Sequence, residues 1–397
     1  MKKIAVLVIV LTFSLNLFSQ TYGWKPKPSG VKSGTFYDVK FWNKDTGIVV
    51  GNNDTVNYIL VTTDGGETWT NKVSAVTSDK VKACEFIDGK TIYVVGKKGA
   101  CYKTTNLGDS WTKINLGTNA DFNDISFPSK TRGYVCSNSG GYIFYDGIGW
   151  QAKLVYSMDN FIRVKFPVDT AGILTAQSGR VWRSIDGGKT WDTIKRTTEP
   201  VYNSYFITAN VGYIVGPKGK VKRTVNGGIN WTDTQIYAKN FKNIDFYSAY
   251  FVGQNIGFIG GTNGTILRTV DGGSNWTQEW TNPVTETIMK IYFVNPVIGF
   301  AVGTNGIILK RQDVSGITET QSSDFLIYPN PANDFIKISN EHYPCTFVIK
   351  DITGKEIIKK ENAENTEFIE ISALSPGVYF LTLSTEGKTI TSKFIKQ

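Results

Sequence analysis

Arg268-Thr-Val-Asp-Gly-Gly-Ser-Asn-Trp276 is the stretch whose reading decides the fold. Close copies are Thr62-Thr-Asp-Gly-Gly-Glu-Thr-Trp69, Arg183-Ser-Ile-Asp-Gly-Gly-Lys-Thr-Trp191 and Arg223-Thr-Val-Asn-Gly-Gly-Ile-Asn-Trp231. Lys103-Thr-Thr-Asn-Leu-Gly-Asp-Ser-Trp111 is a looser copy, and Phe144-Tyr-Asp-Gly-Ile-Gly-Trp150 a worn one. Each part has a mechanical job. Asp-Gly or Asn-Gly between strand-like runs supplies the positive φ of a tight hairpin. The side chains of Asp64, Asn106, Asp186, Asn226 and Asp271 can accept N–H groups of their own turns, and the neighbouring Ser/Thr hydroxyls can do the same. The tryptophan then enters the next strand as an apolar anchor; truncating such a residue typically costs ~3–5 kcal/mol.

The tryptophans at 69, 111, 150, 191, 231 and 276 advance by 42, 39, 41, 40 and 45 residues. A four-stranded propeller blade occupies about 40–45 residues. Ahead of each box runs an apolar strand, then Gly-aromatic-[IV]-[VG]-Gly, then x-x-Gly-x-[IV]-x-[RK]-[TS]; residues 201–231 show this well. Residues 288–310 repeat it with no box and no Trp after them, which makes a seventh blade lacking its outer strand. Trp24 lies 45 residues before Trp69, in register and with no blade of its own. The segment around it is expected to pair with the last blade as the outermost strand, removing open sheet edges. The repeat resembles the Asp-box (BNR) repeat of β-propellers. That resemblance implies an all-β fold, a seven-bladed β-propeller over residues 21–311.

Abundant glycine, 13% aromatic residues and no long helical period agree with an all-β chain. Residues 1–20 carry two lysines, an apolar run from Ile4 to Phe18 and then Ser19-Gln20, the pattern of a secretory signal peptide. No later stretch is long enough to span a bilayer. Cys84, Cys101 and Cys136 stand where sibling blades carry Ile125, Val221 and Val215, so they read as small core residues; with Cys345 they are expected to be four free thiols.

The composition shifts after Lys310. Residues 312–323 (QDVSGITETQSS) read as a polar linker. Residues 324–397 alternate strands with Gly and Pro turns, which predicts a small β-sandwich. The Tyr328-Pro-Asn-Pro opening, the Asp351-x-x-Gly-Lys middle, the Leu374-x-x-Gly-x-Tyr strand and the basic end occur in order. This block resembles the type A C-terminal sorting domain of the type IX secretion system of Bacteroidota. The resemblance implies the secretion machinery as a partner, export across the outer membrane, tail removal, and release or attachment at the cell surface. Asp54-Thr-Val, Asp169-Thr-Ala and Asp192-Thr-Ile also resemble the glycosylation signal of that phylum.

The chain is formally +9, yet the tail holds eight lysines against ten acids, so the propeller carries the excess. Such a ring attracts anionic glycans or acidic protein faces in a salt-dependent way. The cations are scattered, without the aromatic-interleaved run of a nucleic-acid binder. His342, the one histidine, lies outside the propeller, which excludes a Ser-His-Asp triad or a His-ligated zinc there. No metal or cofactor is expected. Arg183, Arg223 and Arg268 occupy the same place in successive repeats, so they lie on separate blades and cannot converge as a sialidase cluster must. Carboxylate chemistry of the glycosidase kind remains, but the box acids are committed to their hairpins. A polar set at the opening of the first strands is a better ligand region: Asp38, Asp124, Arg163, Asn203, Asn243 and Lys290, with Ala83 at the equivalent place.

Among Asp-box propellers the regular seven-fold pattern most resembles the photosystem II stability/assembly factor type, which implies a protein-binding scaffold without catalysis. The expectation is a secreted or cell-surface, monomeric, non-enzymatic propeller that binds a protein or glycan. Alternatives are a glycoside hydrolase of the Asp-box type and an adhesin that contacts anionic matrix.

Overall fold

The computed structural model describes residues 22–396, apart from 54, 74–78, 155–158, 169, 195–198, 235–240, 281–284, 314–324, 329, 331, 333, 341–344, 364–367 and 386–387. The expected signal peptide, most of the expected linker, Asp54, Asp169 and His342 lie outside the described residues.

Seven four-stranded antiparallel sheets form a ring. Their first strands are Thr35–Phe41, Val81–Phe86, Phe122–Ser129, Phe161–Val168, Asn203–Phe206, Phe246–Phe251 and Ile288–Phe293. Each first strand touches the next, and the seventh touches the first, so the wheel is closed around a central channel. Blades 1–6 are four consecutive strands each. In blade 7 the order runs Ile288–Phe293, Gly299–Gly303, Ile308–Asp313 and then Tyr22–Pro26 from the start of the chain, with Trp24 opposite Arg311.

One aromatic pair recurs in the blades and explains the tryptophan period. The box Trp meets, edge to face, a Phe at or near the end of its own blade's first strand. Ring centroids lie at 6.0 Å for Trp69–Phe41, 5.8 Å for Trp150–Phe127, 5.8 Å for Trp191–Phe166, 6.1 Å for Trp231–Phe206 and 5.9 Å for Trp276–Phe251. Trp24 meets Phe293 at 5.9 Å and 83°, the same geometry built from opposite ends of the propeller. Such pairs add about 0.5–1.5 kcal/mol to their buried area.

The glycines of the Gly-aromatic motif mark close approaches. A Cβ on Gly257 would stand 2.3 Å from the Phe251 ring, and one on Gly303 would stand 1.8 Å from the Thr287 carbonyl oxygen. The first glycine lets the Phe lie flat across the second strand. The last lets two backbones touch.

Blade 7 has no box, and Arg311 stands where the box Ser/Thr stands in the others. Gly299 pairs with Arg311 as Gly257 pairs with Thr269. Its guanidinium, 1% exposed, donates to the carbonyls of Pro296 and Val297 and to Glu279 of blade 6. Trp24 Nε1 donates to the other oxygen of Glu279 at 3.3 Å. The seam of the ring is therefore also a seam between two blades.

The tail forms two sheets over one core. The strands Phe325–Tyr328, Phe335–Asn340 and Ile369–Glu370 make one; Glu356–Ala363, Cys345–Lys350, Gly377–Thr385 and Lys388–Lys396 make the other. Ile336, Ile338, Phe347, Ile349, Leu381 and Phe394 fill the space between. The four cysteines are buried, and none forms a disulfide.

Candidate functional site

The boxes are self-contained turns. Thr62 Oγ1 donates to Asp64 Oδ1 at 2.8 Å and accepts the Gly66 N–H, while Asp64 accepts the N–H and hydroxyl of Thr68. Asp186 repeats this with Ser184 and Thr190, Asp271 with Thr269 and Asn275. Asn106 and Asn226 accept the N–H groups of Ser110 and Asn230 through their amide oxygens. The Thr68 hydroxyl and N–H hold the Asp64 carboxyl down to about 2. Asp186 also falls to about 2, because Thr190 and Ser184 outweigh the desolvation that opposes them. In four boxes both glycines take positive φ; in the looser box Leu107 takes the first of these places at φ 54°.

The channel is lined by the first strands, and their side chains form layers. One equivalent position along each first strand holds Asp38, Ala83, Asp124, Arg163, Asn203, Ser248 and Lys290, each paired with the equivalent residue of its second strand. Asn243 does not belong to this set. It is exposed in the turn before Phe246–Phe251, and Ser248, five residues on, takes its place. The step from Trp231 to Trp276 is 45 residues, and the extra length lies ahead of that strand.

Most of this layer is committed to joining blades. Asp38 Oδ2 accepts the N–H of Cys84, Asp124 Oδ2 that of Val164, and Ser248 Oγ that of Ile291, each in the next blade. Asn203 donates to the Tyr247 carbonyl. Burial opposes ionisation of Asp38, but Lys290 at 3.0 Å, Lys40 and Arg163 outweigh it and hold the carboxyl below its usual range. Arg163 lies 3.4 Å from Asp124.

Two residues further along each strand lies a second layer that sequence reasoning missed: Lys40, Glu85, Ser126, Lys165, Tyr205, Tyr250 and Tyr292. Tyr205, Tyr250 and Tyr292 donate to the carbonyls of Phe251, Phe293 and Phe41, again one blade ahead. The signal was the Tyr-Phe pair repeated at 205–206, 250–251 and 292–293. Lys40 binds Glu85 at 2.7 Å. Lys165 is open to solvent within the channel; it feels Lys40, Glu85, Asp124 and Lys290, and the crowding of the channel together with Lys40 shifts it below the usual lysine range. The two layers thus hold four cations, Lys40, Arg163, Lys165 and Lys290, against three acids, Asp38, Glu85 and Asp124.

Arg183, Arg223 and Arg268 sit on three separate third strands. Arg183 donates to Asn210 and Arg223 to Tyr213, so they do not converge. On the face opposite the boxes, a shallow depression of about 460 Å³ is lined by residues 26–32, Glu286, Asn305, Ile307 and Ile308; Glu286 is its one acid. Among the described residues no cluster of His, Cys, Asp and Glu could hold a metal ion, and no helix is long and apolar enough to cross a membrane.

The ring of boxes, the seven sheets and the separate tail define an Asp-box (BNR) β-propeller joined to a C-terminal domain. Residues 326–397 match the family model described as a secretion system C-terminal sorting domain, and residues 19–120 and 195–282 match that of the photosynthesis system II assembly factor YCF48. The chain is 24% identical over 173 residues to the photosystem II assembly lipoprotein Ycf48 of Nostoc sp., a stretch that is 41% of this chain. The chain spans about half the length of the curated relatives it matches, 50% in that case. Its fold is similar to that of YCF48 bound to D1 peptide, with a TM-score of 0.62 and 22% identity over 75% of this chain and 96% of the other. It is also similar to PorZ, a surface component of the type-IX secretion system of Porphyromonas gingivalis, with a TM-score of 0.58 and 12% identity over 94% and 60% of the two chains. The sorting domain points to export, to the cell surface or beyond, with the secretion machinery as a partner.

Proposed function

We propose that this protein is a non-enzymatic scaffold, exported through its C-terminal domain, whose propeller binds an acidic segment of a protein or an anionic glycan. One observation carries the reading: the carboxylates of the boxes and the channel are consumed by their own turns or by neighbouring blades, while the channel's cations are in excess. A glycosidase needs two carboxyl groups free to face a sugar, about 5–10 Å apart. Asp38 and Asp124 each already accept a backbone N–H and face a cation. A ligand entering the channel meets Arg163, Lys165 and Lys290 rather than a free acid pair. The D1 peptide carried by the similar YCF48 structure supports a protein ligand as the first choice.

The test is capture of partners from the native surroundings by the protein with and without residues 324–397, with Lys165→Glu and Arg163→Ala variants beside each, and a polysaccharide panel scored for both retention and reducing-end release. Salt-sensitive capture that the variants weaken is expected. Reducing ends released by wild type and not by an Asp38→Asn, Asp124→Asn variant would replace this reading with the glycosidase.

A further inference from the structure

The strand Phe335–Asn340 belongs to the tail, yet the face turned away from the tail's core also carries a large aromatic residue, Phe335. Successive side chains of a strand point to opposite sides. Ile336 and Ile338 enter the tail's own core. Phe335, on the other side, is 6% exposed and packs in a cluster of propeller residues that includes Ile207 and Phe251, with Tyr205, Val211 and the tail's Phe368 against it. Phe335 and Phe368 meet edge to face at 4.9 Å, and Lys337 stands 5.6 Å over the Phe368 ring. Gln254, in the loop after the first strand of blade 6, donates to Asp334 at 3.4 Å.

These contacts share a location. Val211 and Gln254 lie in loops that follow the first strands of blades 5 and 6, and the boxes of those blades bond to the same loops, Gly227 to Asn210 and Gly272 to Asn255. Tyr205 lies in the second of the channel layers described above, and Lys337 is close enough to Lys165 of that layer to feel its charge. Burial and Lys165 together push Lys337 down to about 8.

We propose that the mouth of the channel on the box side, at blades 5 and 6, is a docking surface for the C-terminal domain, which covers it while the chain is intact. The occupant is the outer face of the tail strand, Phe335 and Lys337 with Phe368 beside them. An exposed aromatic pair on a small exported domain is an aggregation liability, and docking removes it. The attached tail therefore serves as a cover for the propeller, in addition to its role in export. The proposal is independent of which ligand the propeller takes.

Full-length protein carrying Gln254→Cys and Asp334→Cys, treated with a short bismaleimide, tests it. The native cysteines are buried, so the introduced pair dominates the reaction. Cross-linking within one chain is expected, slowed on the order of tenfold or more by adding Phe335→Ser and Phe368→Ser, since each removes most of an aromatic side chain's buried area. No product within one chain, or a rate that the serine variants leave unchanged, overturns the proposal. A second arm alters only the propeller. Lys165→Glu gives Lys337 an opposite charge, and hydrogen exchange in the loop at 207–211 is expected to slow several-fold; unchanged or faster exchange overturns the proposal as well.

Discussion

Arg311 Nη2 lies 2.8 Å from Glu279 Oε1, and its Nε lies 3.1 Å from the same oxygen, so one carboxylate of blade 6 holds the strand that receives Trp24. The guanidinium also lies over the rings of Phe258 and Phe293, at 5.2 and 5.8 Å. Removing one partner of such a buried pair leaves an uncompensated charge, which costs about 3–5 kcal/mol. Arg311→Ala and Glu279→Ala are each expected to lower stability by that order in urea titrations. The double variant should lose less than the two losses added, because the second change removes the orphaned charge.

Trp24 and Trp276 occupy equivalent places against Phe293 and Phe251. Trp24→Ala is therefore expected to destabilise the folded chain as Trp276→Ala does, by ~3–5 kcal/mol. Thermal unfolding of both variants checks this; a Trp24 variant that melts as wild type does would mean that the first strand is dispensable to closure.

Acid should loosen the boxes unequally. The Asp64 and Asp186 carboxyls are depressed from 3.8 to about 2 in the folded chain. A depressed carboxylate stabilises the fold fully above its unfolded value, and that contribution fades as pH falls through the folded value. Their contribution is thus complete above about pH 4 and lost toward pH 2. Asn106 and Asn226 already show that an amide serves in this turn without titrating. Asp64→Asn with Asp186→Asn is expected to flatten the pH dependence of stability between pH 2 and 4, measured by denaturant melts across that range.

Gly303→Ala places a methyl group where the Thr287 carbonyl oxygen stands, 1.8 Å away, with backbone on both sides. Overpacking of this kind typically costs about 1–3 kcal/mol or more. A loss of that size in melting experiments is expected for Gly303→Ala, and almost none for Gly149→Ala, whose Cβ would meet nothing within 4 Å.

The boxes and their period carried most of the fold in plain view, because each box is a local turn whose hydrogen bonds close within five residues. Trp24 was legible for the same reason: its distance from Trp69 is one blade length. The channel was harder to read. Its layers depend on contacts between blades about 40 residues apart, and register alone decides which residues face inward. A five-residue extension before Phe246 displaced Asn243 from the layer and hid Ser248. Arg311 gave no local signal either, since its partners Glu279, Pro296 and Val297 come from a neighbouring blade and a separate loop. The contact between Phe335 and the propeller was equally silent, as a single aromatic residue beside Lys337 on a strand's outer face does not announce what covers it.

The tyrosine, serine and carboxylate joints of the channel reach forward, from blades 1, 3, 5 and 6 to their successors, and Tyr292 makes the same reach from the seventh blade to Phe41 of the first. At the hub, then, the molecule has no beginning and no end; only at the rim do the termini show. Moving the termini to another junction between blades would leave every one of these forward joints in place, so the order in which the vanes are synthesised is a property of the gene rather than of the wheel.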